Sequence, residues 1–247
     1  MVDPRLAIIE KRLGKIGKII AVSSGKGGVG KSLIASTLAI SLAKNGHTVG
    51  LLDIDFTSPS THVILGIKDA YPKEEKGIKP PIIHDLHYMS IVFYSGDAPS
   101  PLRGGEVSNA LIELLAITRW GALDFLVIDM PPGLGDATLD IIRLVKPVYF
   151  LIITTSSKVA YETVKKLIHL LRSLEVHIIG VVENMKMTSS QHIRDNIEEL
   201  GLAFLGEIKF DETLEDTLGN KDRLINSDFG KTVQKIVSRT SDLKFKF

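Results

Sequence analysis

The sequence contains no cysteine, and this absence excludes two kinds of site. None of its 247 residues can form a disulfide bond, and none can bind a metal through a thiolate. An excess of one charge is also lacking, because 30 basic side chains stand against 29 acidic ones and leave a net charge of +1. Proteins that bind nucleic acid usually carry a strongly basic surface, so we expect no nucleic-acid partner.

Long hydrophobic runs are missing as well. No stretch of about 18 residues is both apolar and uncharged, and the first residues mix charged side chains with short apolar runs, unlike a signal peptide. We therefore expect a cytoplasmic protein that does not bind a membrane. The 44% of hydrophobic residues provide enough material for one large core.

Apolar runs of strand length alternate with helical patterns along the chain. The runs are rich in Ile, Val and Leu without alternating polar residues, which is typical of strands buried on both faces. This order predicts an α/β fold with a mostly parallel, twisted sheet of seven or eight strands and helices on both faces. The predicted strands span residues 18–23, 48–53, 88–93, 124–129, 148–154, 176–183 and 203–208. The predicted helices span residues 31–45, 106–119, 138–145, 159–174, 190–200 and 229–238, and residues 68–86 are predicted to form a long surface loop.

A glycine-rich stretch follows the first predicted strand and opens the first long helix. Its residues are Gly25, Lys26, Gly27, Gly28, Val29, Gly30, Lys31 and Ser32, which fit the phosphate-loop pattern G-x-x-x-x-G-K-[ST]. Backbone N–H groups at such a helix start point at bound phosphate, and glycines let the backbone approach closely. We expect Lys31 to contact the β- and γ-phosphates and the Ser32 hydroxyl to ligate Mg²⁺. The alternative is a glycine-rich turn without a ligand.

Carboxylates end two of the predicted strands. Asp53 and Asp55 point the same way off a strand end, toward the crevice where α/β sheets bind ligands. Asp129 ends another strand, and the Pro-Pro-Gly segment that contains Gly133 follows it. This arrangement predicts that Asp129 accepts hydrogen bonds from magnesium-bound water and that backbone N–H groups near Gly133 sense the γ-phosphate. Ordinary polar capping of a strand end is the alternative for Asp53 and Asp55.

Asn184, at the end of a later strand, is the candidate base-binding residue. Its amide offers one donor and one acceptor, which match the edge of adenine, whereas a guanine site needs an acid. No Asn-Lys-x-Asp run occurs in the sequence. We therefore predict ATP rather than GTP as the ligand, with a buried or turn-forming asparagine as the alternative.

The second lysine of the loop, Lys26, makes the stretch similar to the deviant phosphate loop of the MinD, ParA and Mrp/ApbC ATPases. The resemblance implies a single P-loop ATPase domain over residues 18–247, preceded by a short helical extension over residues 1–17. It also implies an ATP-dependent homodimer in which Lys26 reaches the phosphates of the other subunit, the role of an arginine finger. In such an ATPase Asp55 orients the attacking water and Asp53 lies near the magnesium shell. An exposed loop lysine is the alternative for Lys26.

Residues 51–60, 120–136 and 180–185 resemble the Mrp/ApbC branch more than MinD or ParA. That branch is associated with ATP-dependent carriage of iron-sulfur clusters, so the resemblance implies an iron-sulfur assembly protein or client as partner. Its members carry a Cys-x-x-Cys pair shortly after the Glu-Asn-Met, whereas here residues 186–192 contain no cysteine. Carriage through thiolates is excluded, His84 and His87 are too few to replace them, and assistance to a cysteine-bearing partner remains open.

One residue of the loop region departs from the family pattern. Leu33 stands where the family usually has a threonine that hydrogen-bonds the α-phosphate. One neutral hydrogen bond contributes about 0.5–1.5 kcal/mol, so we expect weakened but surviving nucleotide binding.

Two other functions remain as alternatives. A MinD- or ParA-like positioning ATPase needs a surface to bind, but residues 240–247 are too short for a stable interfacial helix. Leu243, Phe245 and Phe247 alternate with lysines, so docking of this tail on its own or a sister subunit is the better hypothesis. The other alternative is a nucleotide-dependent scaffold without significant turnover.

Overall fold

The apolar runs of the sequence form the strands of one large sheet. A computed structural model describes residues 3–95, 104–187 and 192–242. The strands are β1 (Ile16–Ser24), β2 (Val49–Asp53), β3 (Lys73–Glu74), β4 (Ile78–Lys79), β5 (Ile82–Ile83), β6 (Leu86–Ser90), β7 (Leu123–Asp129), β8 (Tyr149–Thr155), β9 (His177–Lys186) and β10 (Phe204–Lys209).

Helices fill most of the chain between these strands. They are α1 (Arg5–Leu13), α2 (Lys31–Lys44), α3 (Thr61–Leu65), α4 (Val92–Ser95), α5 (Gly105–Ile117), α6 (Asp136–Leu144), α7 (Lys158–Ser173), α8 (His192–Glu199), α9 (Lys221–Asn226) and α10 (Asp228–Asp242), with a short 3₁₀ helix at Leu214–Thr217. Among the described residues, none of the helices combines the length and apolar character of a membrane span.

Eight of the strands form the main sheet in the order β10-β9-β8-β1-β7-β2-β6-β5. Every neighbouring pair is parallel except β5 and β6, which form an antiparallel pair at one edge. The predicted α/β fold with a mostly parallel sheet is therefore confirmed. Because β1 lies at the centre, the segment that follows it lies between the ends of β7 and β8.

Two apolar clusters cover the two faces of the sheet. One cluster includes residues of α1, α5, α6, α7 and α8, and the other includes residues of α2, α3, α9 and α10. The apolar residues of β8 alternate between the two clusters, so both of its faces are buried. This burial explains the unbroken apolar runs, since each fully buried large side chain contributes about 1.5–3 kcal/mol.

The structure corrects two predictions around the edge of the sheet. The strand predicted over residues 88–93 ends at Ser90, because the Ser90 hydroxyl accepts a bond from the Val92 N–H and a helical turn begins there. The loop predicted over residues 68–86 contains the β3–β4 hairpin and β5. Lys76 and Gly77 have positive φ angles of 50° and 121°, which allow the tight hairpin turn.

Short helices were not predicted from the sequence because they have too few residues to display a helical period. Gly66, with a φ of 63°, ends α3, and the Asn220 side chain caps α9 by accepting a hydrogen bond from the Arg223 N–H. The boundary predicted at residue 17 stays a prediction, with α1 and the start of β1 preceding it. The tail residues Leu243, Phe245 and Phe247 lie outside the described residues.

Candidate functional site

The glycine-rich loop lies at the carboxyl end of β1 and opens α2. Gly28 and Gly30 have φ angles of 75° and 79°, a conformation that favours glycine, and Gly30 caps the start of α2. The first N–H groups of this 14-residue helix face the loop, so the site can bind an anion. The predicted phosphate-loop context of strand, loop and helix is therefore present.

A cavity of about 650 Å³ opens beside the loop. It is lined by the loop, by the segment after β2 and by the segment after β7, which are brought together by the neighbouring strands. The predicted site residues along it are Lys26, Gly27, Gly28, Val29, Gly30, Lys31, Ser32, Leu33 and Asp55.

A buried ion pair joins the phosphate loop to the end of β7. Lys31 Nζ lies 2.5 Å from Asp129 Oδ1, and the side chains are 6% and 0% exposed. Lys31 Nζ also donates to Ser32 Oγ over 3.2 Å. Asp129 Oδ2 has no hydrogen-bond partner among the described residues, although it is fully buried. An unpartnered buried oxygen costs free energy unless a further group binds it, so Asp129 can accept a ligand here.

Burial also sets the charge state of Asp129. The pKa of this carboxyl is raised to about 6, mainly by burial and in part by the adjacent Asp53 carboxylate, against the opposing effects of Lys31 and Ser32. At neutral pH the group is therefore ionised and close to titration. A carboxylate and a hydroxyl together are oxygen ligands that suit Mg²⁺.

Asp53 lies beside Asp129 in the register of β2 and β7. Its Oδ1 accepts a hydrogen bond from the Asp55 N–H over 3.0 Å, and its Oδ2 accepts bonds from Ser60 N–H, Thr61 N–H and Thr61 Oγ1. Burial raises the pKa of Asp53, while the hydrogen bonds from Thr61 and Asp55 lower it. The four bonds show that Asp53 organises the segment after β2, and its place near the magnesium shell stays a prediction.

Asp55 lies on the segment that Asp53 organises. Its Oδ1 accepts hydrogen bonds from the N–H groups of Thr57 (3.2 Å) and Ser58 (3.1 Å), which form a local turn. Asp55 borders the cavity, and Oδ2 accepts no bond within the part of the chain that the structure describes. This free oxygen suits the predicted role of orienting a water molecule.

Asn184 contacts the loop itself. Its Nδ2 donates to the Val29 carbonyl over 2.9 Å, and the residue is 2% exposed. A Cβ atom on Gly30 would lie 2.3 Å from this nitrogen, so glycine is needed there for space as well as for conformation. The structure thus shows Asn184 holding the loop, while recognition of adenine stays a prediction.

Other backbone contacts fix the two ends of the loop. A Cβ atom on Gly25 would lie 2.4 Å from Thr163 Oγ1 and 2.6 Å from Val164 N, so α7 packs directly against the loop. The Gly133 N–H donates to the Ser24 carbonyl over 2.9 Å. Gly133 therefore links the segment after β7 to the loop, and its role as a phosphate sensor stays a prediction.

A second buried polar cluster, at the end of β9, was missed by the sequence analysis. The fully buried Glu183 accepts a bond from Ser156 Oγ over 2.7 Å and lies 3.4 Å from Lys186 Nζ. Lys186 also pairs with Glu207 on β10. The only sequence signal is a glutamate and a lysine three residues apart in an apolar strand. This cluster fixes the strand end that carries Asn184.

The candidate histidines do not meet at the site. His84 Nε2 bonds to the Leu65 carbonyl over 2.8 Å. Burial and the charge of Lys79 lower the pKa of His87. Both belong to the edge of the sheet around β5 and β6, where a structural role accounts for them.

A family model and several known proteins match the chain. The model of the NUBPL iron-transfer P-loop NTPases, of the ParA type, matches residues 15–242. An iron-sulfur cluster carrier protein from Pseudomonas fragi is 42% identical over 177 residues, which cover 70% of this chain and 62% of that protein. One from Methanocaldococcus jannaschii is 33% identical over 261 residues and covers 96% of this chain and 90% of that protein. The chain thus spans less than two thirds of the Pseudomonas relative.

Solved structures show the same fold. A nucleotide-binding protein from Archaeoglobus fulgidus, in complex with ADP, is 31% identical with a TM-score of 0.73, over 92% of each chain. The cell division ATPase MinD of Pyrococcus furiosus is 19% identical with a TM-score of 0.66, over 92% of this chain and 99% of that one. At this identity the MinD likeness concerns the fold alone.

Proposed function

The chain belongs to the NUBPL iron-transfer P-loop NTPase family, and on that premise we propose that it is a Mg²⁺-dependent ATPase that works as a dimeric switch in iron-sulfur cluster assembly. The sequence resemblance to the Mrp/ApbC branch is confirmed by relatives named iron-sulfur cluster carrier proteins. Nucleotide binding is supported by the ADP complex of the similar Archaeoglobus protein.

One observation carries the proposal of hydrolysis. Lys31, which pairs with the buried Asp129, and Asp55, whose Oδ2 accepts no bond from the described residues, line the same cavity. A triphosphate bound by the loop N–H groups competes with Asp129 for the Lys31 ammonium, which then neutralises the β- and γ-phosphates. Asp55 orients a water molecule for attack on the γ-phosphorus, the bond to the β–γ bridging oxygen breaks, and ADP and inorganic phosphate are released.

The residues present fit a magnesium ion. Ser32 Oγ and the unpartnered Asp129 Oδ2 are oxygen donors at the phosphate end of the loop, and Asp129 is suited to bind through a water. When bound, Mg²⁺ neutralises charge on the phosphate oxygens. Asp53 supports this arrangement by fixing the neighbouring strand end.

Lys26 carries the proposal of a dimer. It lies on the rim of the cavity and is only partly buried, so it can reach beyond its own loop. In the proposed homodimer the Lys26 ammonium of each subunit contacts the phosphates bound by the other, and ATP therefore closes the interface. Such cations supplied by a second subunit raise hydrolysis rates by about 10³–10⁵ in related chemistry.

The absence of cysteine shapes the iron-sulfur part of the proposal. The described part of the chain ends at Met187 and resumes at His192, and these positions and the residues between them contain no thiol. We propose that a cysteine-bearing assembly protein or client holds the cluster and that this chain supplies ATP-driven opening and closing.

Phosphate release from ATP tests the proposed function. We expect Lys26→Ala, Lys31→Ala and Asp55→Ala each to lower hydrolysis by at least about 100-fold, because each removes charge or water positioning from the site. The exposed Lys44, on the last turn of α2, provides Lys44→Ala as the matched control. Unchanged hydrolysis in all three site variants would refute the proposal.

Molecular mass in solution tests the dimer. We expect a monomer without nucleotide and a dimer with Mg²⁺ and a non-hydrolysable ATP analogue. Lys26→Ala should remain monomeric while still binding the analogue, because Lys31, Ser32 and the loop N–H groups that bind the phosphates within one subunit are unchanged. A dimer that forms equally with Lys26→Ala, or without nucleotide, would contradict the sandwich arrangement.

A further inference from the structure

Two buried hydroxyl groups form a chain that ends at Asp53. Tyr88, on β6, and Thr61, at the start of α3, are both fully buried. Their side-chain oxygens lie 2.8 Å apart, and Thr61 Oγ1 lies 2.7 Å from Asp53 Oδ2. Neither hydroxyl borders the cavity, and the proposed hydrolysis does not use them directly.

The donors around Asp53 fix the direction of this chain. The Asp55, Ser60 and Thr61 N–H groups can only donate, so the Asp53 carboxylate accepts from all of them. Its fourth bond therefore comes from the Thr61 hydroxyl. Thr61 has then used its single proton, which leaves the Tyr88 hydroxyl as the donor to Thr61.

The two oxygens of the Asp53 carboxylate bind both ends of the segment formed by residues 54–60. The segment and the carboxylate together form a closed ring. Asp53 Oδ1 binds the backbone at the start of the segment, through the Asp55 N–H, and Oδ2 binds its end, through Ser60 and Thr61. Asp55 belongs to this segment and borders the cavity. The position of Asp55 therefore depends on how firmly Asp53 is held.

We propose that Tyr88 and Thr61 are positioning residues for Asp55, acting through Asp53. The inference rests on the proposed ATP hydrolysis and extends it by two residues that lie away from the cavity. Loss of one hydroxyl loosens the ring without changing any group that contacts phosphate. Misplacement of a catalytic group by about 1 Å costs up to about 100-fold in rate, so the effect falls on kcat.

Variants that remove single hydroxyl groups test this inference. We expect Thr61→Val to lower kcat for ATP by about 10-fold and Tyr88→Phe by about 3-fold, with KM unchanged within about 2-fold, because the phosphate loop is untouched. Thr61→Ser keeps the hydroxyl that Thr61→Val removes, so its kcat should equal that of wild type. Thr118→Val is the matched control, since Thr118 is also buried and its hydroxyl bonds to the Leu114 carbonyl away from the site.

Amide hydrogen exchange provides a readout that needs no hydrolysis. We expect faster exchange in a peptide covering residues 53–61 for Thr61→Val and Tyr88→Phe, slow exchange for wild type and Thr61→Ser, and no change there for Thr118→Val. The inference is overturned if kcat of both site variants stays within about 2-fold of wild type. It is equally overturned if Thr118→Val lowers kcat as much, because a general loss of stability then explains the result.

The two proposals fail in different ways. If wild-type protein releases no phosphate from ATP, the proposed function is wrong, and the exchange data alone decide whether Thr61 and Tyr88 hold the segment. Unchanged exchange then overturns the inference. Faster exchange confined to residues 53–61, reversed in Thr61→Ser, supports it.

Discussion

Two groups of charged and polar side chains lie at the same edge of the sheet but differ in whether they border the cavity. The first, the acid site, consists of Lys31, Asp53, Asp55 and Asp129 at the ends of β1, β2 and β7. The second, the clamp, consists of Glu183, Lys186 and Glu207 with Ser156 and Asn184 at the ends of β8, β9 and β10.

The two groups differ in their access to the cavity and in the partners of their charged side chains. The acid site borders a cavity of about 650 Å³ and contains carboxylate oxygens without protein partners. In the clamp, Lys186 lies between two carboxylates, and the Asn184 amide is bonded to the phosphate loop. Glu183 Oε2 also accepts no hydrogen bond among the described residues, but it lies 3.4 Å from the Lys186 ammonium, and no residue of the clamp lines the cavity. Buried charge is therefore not by itself a sign of catalysis, since only the first of these two groups borders the space beside the phosphate loop.

The largest effect that separates the two groups is expected from Lys186→Met. It leaves the fully buried Glu183 without its cation, which typically costs about 3–5 kcal/mol of unfolding free energy. ATP hydrolysis per folded molecule should stay within about 3-fold of wild type, because Lys186 is not among the described residues along the cavity. Urea unfolding and phosphate release measure the two quantities.

The double variant Glu183→Gln/Lys186→Met is the control for that prediction. It removes both charges, so more than half of the lost stability should return. If the double variant is as unstable as the single one, packing rather than charge explains the loss. If hydrolysis collapses in both, the clamp belongs to the catalytic machinery.

A smaller effect is expected from the titration of Asp129. Its pKa is raised to about 6 from 3.8, so between these two pH values the folded protein keeps a proton that the unfolded chain releases. The stabilisation is complete below about pH 4 and is lost as the pH rises through about 6, by about 3 kcal/mol in total. Asp129→Asn removes this dependence.

The pH dependence is measured by urea unfolding at several pH values between about 4 and 7. The difference between wild type and Asp129→Asn isolates Asp129, because the other carboxyl groups titrate in both proteins. If the unfolding free energy of Asp129→Asn changes with pH as steeply as that of wild type, another group of the acid site titrates in this range, with Asp53 as the nearest candidate.

The third prediction concerns the contact between the phosphate loop and α7. Gly25→Ala places a methyl group within 2.6 Å of the backbone nitrogen of Val164, so α7 must shift. Overpacking of this kind costs about 1–3 kcal/mol. Gly27→Ala is the matched control, since the nearest atoms to a Cβ there are those of Pro132 at 3.9 Å. Equal thermal stability of the two variants would show that α7 does not constrain the loop.

The smallest effect is expected from Asn184→Ala. It removes the hydrogen bond to the Val29 carbonyl, a loss of about 1 kcal/mol in loop stability. We expect affinity for ATP and for GTP to fall by a similar factor of about five, because the donor is engaged with the loop. Titration calorimetry with both nucleotides measures this, and a selective loss for ATP would support direct reading of adenine instead.

The sequence was sufficient to predict the parallel part of the sheet and the edge at which the acids lie, but not the antiparallel strand β5. Parallel strands end at one edge, so a phosphate loop after β1 and acids after β2 and β7 had to converge there. The direction of the Asn184 amide could not be predicted, since the same donor serves a base or a carbonyl. The pairing of Lys186 with Glu207 also has no sequence signal, because it joins residues on two strands whose register only the fold defines.

The hydroxyl chain to Asp53 could not be predicted from the sequence for the same reason. Thr61 lies in a five-residue helix and Tyr88 in a buried strand, and neither position stands out by spacing or composition. Only the folded chain brings their oxygens together. Aspartates at strand ends carry their own signal, whereas the residues that hold them in place do not.

The short antiparallel strand β5 has a consequence for solubility. An exposed sheet edge can pair with a strand of another molecule and lead to aggregation. Here the outermost strand has only two residues, Ile82 and Ile83, and Pro80 and Pro81 precede it without any N–H group to donate. A foreign strand therefore finds little to bind along this side, and replacement of the two prolines would lengthen the edge that other molecules can join.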